Sequence, residues 1–87
     1  MDAITLIANG TMKAFVLVAN EAGTAPSQID VTRAVTAMRT VTKSHISDMI
    51  REWGEAVEAR IAAPWLRELI NAQCNQYARE AWAAYNA

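Results

Sequence analysis

Cysteine, histidine, proline and glycine are all scarce in this chain of 87 residues. Its one thiol, Cys74, cannot close an intrachain disulfide or gather a metal cluster, so no metal is expected. His45 is the only histidine. No serine or cysteine sits in a nucleophile elbow, and no glycine-rich loop resembles a phosphate cradle. The expectation is therefore a protein that is not an enzyme, with no cofactor and no small-molecule substrate. Long apolar runs are missing too. The longest, Ala14 to Ala19, falls far short of the ~20 residues a membrane span needs. No basic stretch follows Met1-Asp2, and a cytoplasmic location without a membrane partner is expected. An excess of one charge is also absent. The net charge of −1 excludes a polycation that coats nucleic acid indiscriminately.

The length allows one small domain and excludes a two-lobed enzyme or a large α/β fold. The 53% of apolar residues suffices for a core. Helix formers dominate, and the few glycines and prolines divide the chain. The first segment, Asp2 to Ala22, carries Ile4, Ile7, Met12, Phe15, Val16 and Ala19 at helical spacing. Gly10-Thr11 is a candidate interruption, and Ala22-Gly23 with Pro26 beyond it reads as a stop. Ser27 or Asp30 can cap a second helix to about Met38, with Val31, Ala34, Val35 and Met38 on one face. Residues 39–42 read as a short polar connection. Thr42 then caps a third helix to about Ala63, with Ile46, Met49, Ile50, Trp53, Val57 and Ile61 on its stripe. Pro64 suits the first turn of a last helix, on which Leu66, Leu69, Ile70, Cys74 (or Gln73), Tyr77, Ala81, Trp82 and Tyr85 form a second long stripe. The expected fold is all-α: a small helical bundle with a helix-turn-helix-like unit in residues 1–63 and a long C-terminal helix in 64–87, for packing or dimerisation.

Charge is unevenly placed. Residues 31–51 sum to +3, and the flanking segments to −2 each. The basic stretch lies where a helix-turn-helix places its DNA contacts. Lys43, Arg51 and the hydroxyls of Thr40, Thr42, Ser44 and Ser47 can reach phosphates or base edges, and His45 can join them. An ordinary solvated helix face looks much the same. Cys74, on the apolar stripe, reads as a small buried hydrophobe.

The runs Gly23-Thr24-Ala25-Pro26, Val31-Thr32-Arg33, Thr42-Lys43-Ser44-His45-Ile46 and Ile50-Arg51-Glu52-Trp53 resemble the N-terminal domain of KfrA-type plasmid DNA-binding proteins. The Pro64 helix, with Ala81-Trp82 near its end, resembles the segment that follows, so the likeness spans roughly residues 12 to 85. The family turn between the second and third helices is usually glycine-rich, and residues 38–44 here contain no glycine. The resemblance implies a dimeric, sequence-specific binder of double-stranded operator DNA, a transcriptional autorepressor and an accessory to plasmid maintenance in a bacterial cytoplasm. It makes Thr42 to Arg51 the recognition helix, with Arg33 and Arg39 on the DNA backbone.

A homodimer would use the C-terminal stripe, with Trp65, Leu66, Leu69, Ile70, Tyr77, Ala81, Trp82 and Tyr85 as the seam. The competing expectation is a protein-interaction or assembly module, suggested by Trp53, Trp65 and Trp82 on or beside the helical stripes.

Overall fold

The computed structural model describes residues 3–54 and 64–87. Three helices account for most of them: α1 (Ala3–Glu21), α2 (Val31–Trp53) and α3 (Pro64–Tyr85). The all-α bundle with a long C-terminal helix is as expected.

The helix ends follow local chemistry. Gly23 adopts a φ of 83°, which a residue with a Cβ rarely tolerates. Its N–H donates to the Asn20 carbonyl at 3.0 Å, and that of Thr24 to the Ala19 carbonyl at 2.9 Å. These paired bonds close α1 in a Schellman motif. A single 3-10 turn, Pro26–Gln28, follows. Of the two candidate caps, Asp30 is the one used: its carboxylate accepts from the Arg33 N–H at 3.2 Å. Gly54, with a φ of 59°, ends α2.

The largest departure from expectation lies in α2. The anticipated turn at 39–42 does not exist, and residues 31–53 form one helix. Two causes are visible. The buried positions Ala34, Met38, Thr42 and Met49 stay in one helical phase through the segment, so nothing in the packing asks for a break. The polar hydroxyls are also content inside a helix. Thr36 and Thr40 each donate to the carbonyl four residues back, at 2.9 Å. Thr42 is thus mid-helix and not a cap. The expected continuation of this helix through Val57 and Ile61 to Ala63 lies outside the described residues.

The chain runs up, down and up. Ile7 on α1 shares a cluster with Met49 on α2 and with Leu66, Ile70, Cys74 and Tyr77 on α3. Phe15 shares a second with Ala34 and Met38 on α2 and Ala78 and Ala81 on α3. The order of these contacts makes α1 and α3 parallel, with α2 antiparallel to both. In the second cluster the Phe15 ring meets Trp82 and Tyr85 edge-on, at centroid distances of 5.5 and 5.8 Å.

Gly10-Thr11 does not interrupt α1. It marks a tight approach of α1 to α3, where a Cβ on Gly10 would lie 2.9 Å from the Cys74 sulfur. Thr11 is wholly buried there and donates its hydroxyl to the Ile7 carbonyl at 2.8 Å. Alanines complete the contact: Ala14 on α1, Ala78 and Ala81 on α3. Small side chains let two helix backbones come together, which explains the use made of the alanine-rich C-terminal end.

Candidate functional site

α3 fills one side of the α1–α2 pair. On α2 this sorts the expected DNA contacts. Arg33, Arg39, Thr40, Lys43, Ser44, Ser47 and Arg51 are exposed, and Thr42 and His45 are not. Thr42 is buried at 5% exposure. The His45 ring stacks on Tyr77, 4.3 Å between centroids and 11° from parallel, and its Nε2 lies 2.6 Å from Glu80 Oε2. Thr42 is thus buried in the bundle, and the ring of the half-buried His45 is packed against α3. The reason is the continuous helix: without a turn at 39–42, positions 42 and 45 fall on the faces turned to the neighbouring helices.

The four α2 cations differ in what holds them. The Arg33 guanidinium lies 4.7 Å from the Tyr85 ring centroid and donates to the Tyr85 carbonyl. Asp30, its neighbour, donates its N–H to the Tyr85 hydroxyl at 2.9 Å. Arg51 pairs with Asp48 within the helix. Among the described residues Arg39 and Lys43 have no ion-pair partner.

The expected dimer seam is largely consumed inside the chain. Leu66, Ile70, Tyr77 and Ala81 are buried against α1 and α2, and Leu69, Trp82 and Tyr85 are half-buried. A seam built on them would require the bundle to open. Trp65 is different: it stands 62% exposed on the same unbroken helix. The Cys74 thiol, donating to the Ile7 carbonyl at 3.5 Å, is held above its ordinary pKa by burial, partly offset by a hydrogen bond with Thr11. That environment suits packing and not thiolate chemistry.

Among the described residues the other side of the α1–α2 pair is open. A groove of about 660 Å³ runs between the helices. Ala8, Asn9 and Met12 form its α1 wall; Val35, Met38, Arg39, Thr42, Lys43, Ile46 and Ser47 form its α2 wall. Past Met12, Val35 and Met38 it continues into a shallower depression of about 150 Å³, which also takes in Val16, Pro26, Ile29 and Val31. Met12 is 46% exposed and Val31 70%, a large allowance for side chains of this kind on a shared surface.

Sequence reasoning missed this groove, although α1 carried a signal. At about 100° per residue, its apolar positions from Ala14 through Ile7, Phe15, Ala19 and Met12 to Val16 sweep roughly 200°. A helix buried on one side needs roughly half that arc. Placing Met12 and Val16 in one helical series with Phe15 and Ala19 merged two faces: Phe15 and Ala19 are buried against the bundle, and Met12 and Val16 are exposed.

The chain matches no known family model, no curated protein and no solved structure. No helix among the described residues is long and apolar enough to cross a membrane.

Proposed function

We propose that this protein is a helical interaction module without catalysis, and that its working surface is the open groove between α1 and α2. The observation that carries this reading is the apolar lining, with Met12, Val16 and Val31 exposed along one track. Grooves between antiparallel helices accept the apolar face of another helix, as α3 does on the opposite side. A calorimetric titration tests it. The probe is a soluble helical peptide with leucines at i, i+3, i+4 and i+7 and glutamines elsewhere. Saturable binding with a negative heat-capacity change is expected. Met12→Asp, at an exposed position, should weaken it about tenfold by placing a charge in the apolar track. Absence of binding, or binding indifferent to Met12→Asp, overturns the reading.

A second reading is favoured by one specific observation. The exposed face of α2 from Thr32 to Ser47 carries Arg33, Arg39 and Lys43 among hydroxyls and holds no carboxylate. Such a face suits double-stranded DNA, through phosphate contacts made by one continuous helix and not by a helix-turn-helix. Operator binding by a dimer, autorepression and a plasmid role, as in KfrA-type proteins, belong to this reading. Fluorescence anisotropy with the DNA upstream of its gene and with random duplexes, at two salt concentrations, tests it. Salt-sensitive preference for the upstream DNA, weakened by Arg39→Ala with Lys43→Ala, supports it. No binding by the folded chain rejects it.

A further inference from the structure

We infer that the occupant of the α1–α2 groove is an amphipathic helix of a partner protein, with acidic residues flanking its apolar stripe. The inference rests on the groove reading above and adds the chemistry of the partner.

Length comes first. The apolar track follows α2 from Val31 to Ser47. At 1.5 Å per residue this is about 24 Å of helix. A small ligand fills a compact cavity. A track this long, open along its side and bounded by two helices, matches four to five turns of a third helix, roughly 16 residues.

Charge then selects the partner. The charged residues lining the groove are Arg39 and Lys43, both cationic, and no carboxylate lines it among the described residues. They sit one turn apart on the α2 rim. Among the described residues they are also the α2 cations whose side chains make no ion pair, hydrogen bond or ring contact, whereas Arg33 is held by Tyr85 and Arg51 by Asp48. The α1 wall opposite is neutral, with Ala8, Asn9 and Met12. Carboxylates on the flank of an incoming helix would meet both cations at the rim, where the Lys and Arg stems also cover apolar surface. A second copy of this chain docked by the same face about a two-fold axis near the middle of α2 would instead bring Arg39 and Lys43 against their own counterparts. That repulsion disfavours self-association through the groove.

The test uses three labelled peptides of about 16 residues, identical in their leucine stripe and flanked by glutamate, glutamine or lysine. Binding is read by fluorescence anisotropy, with the label on the peptide. The expected order is glutamate tightest, then glutamine, then lysine. The glutamate peptide should exceed the glutamine peptide by about tenfold at low salt, given two rim pairs of exposed type. That margin should shrink as salt rises. The variant Arg39→Glu with Lys43→Glu, changed only at exposed positions, should reverse the order. Equal binding of all three peptides, with loss on Met12→Asp, keeps the groove as an interaction site and overturns the acidic partner. Self-association of the chain that blocks peptide binding overturns it in favour of a second copy. Failure of every peptide overturns both the acidic partner and the groove reading.

Discussion

At the scale of single residues, two contacts make sharp predictions. Gly10 faces the Cys74 sulfur, which a Cβ would approach to 2.9 Å. Alanine in a helix gains up to about 1 kcal/mol over glycine. Overpacking a tight contact costs about 1–3 kcal/mol. Gly10→Ala should therefore destabilise by about 1 kcal/mol in chemical denaturation. In a Cys74→Ala background the sulfur is gone, and the same change should become neutral or stabilising. A double-mutant cycle without this change of sign would deny the close approach. Tyr77 supplies the second. Burial, followed by the neighbouring Cys74 and the carboxylates of Glu80, Asp48 and Glu52, pushes its phenol up to about 12 from the ordinary 10.0. The folded state holds this proton more tightly than the unfolded state. The associated stability is complete below pH 10 and is lost as the pH rises through about 12. Tyr77→Phe should flatten that alkaline loss, measured as denaturation midpoint against pH. The His45–Tyr77 stack gives His45, read as a DNA contact, a place in the packing between α2 and α3. A lone histidine on a polar-looking stretch gives no sign of which aromatic ring lies 32 positions away.

At the scale of elements, α2 is the instructive case. Residues 39–42 look like a connection because they are mostly polar and end in Thr42, a residue type frequent at helix caps. Yet the stretch lacks glycine and proline, and the apolar phase carried by Ala34, Met38 and Met49 runs through it unchanged. That phase was legible and outweighs the cap signal, since a real turn would shift it. Thr40→Pro separates the two descriptions. In a continuous helix it removes a hydrogen bond and clashes with the preceding turn, costing about 3 kcal/mol or more. In a turn it would be tolerated. Thermal denaturation by circular dichroism should show the large loss. The end of α1 and the start of α3 were legible for the opposite reason: Gly23 alone tolerates the positive φ that closes α1, and Pro26 and Pro64 fix φ where new turns begin. Asp30→Ala, removing the α2 cap, should cost about 1 kcal/mol.

At the scale of the whole molecule, α3 is the element that makes a core. Leu66, Ile70, Cys74 and Tyr77 close one cluster, and Ala78 and Ala81 the other. Its long stripe was visible in the sequence, but a stripe does not name its partner. The same pattern serves a dimer seam or an intrachain core, and here the parallel approach of α1 absorbs it. The open groove follows from the same geometry, because among the described residues the three helices leave one side of the α1–α2 pair uncovered. The claim that this side is a binding surface is tested most directly by methionine-methyl NMR with the glutamine-flanked peptide. Met12 and Met38 line the groove, whereas Met49 lies in the cluster closed by Leu66 and Ile70. The account predicts saturable shifts at the Met12 and Met38 methyls with Met49 unmoved. Shifts at none of the three, or at Met49 alone, would contradict it.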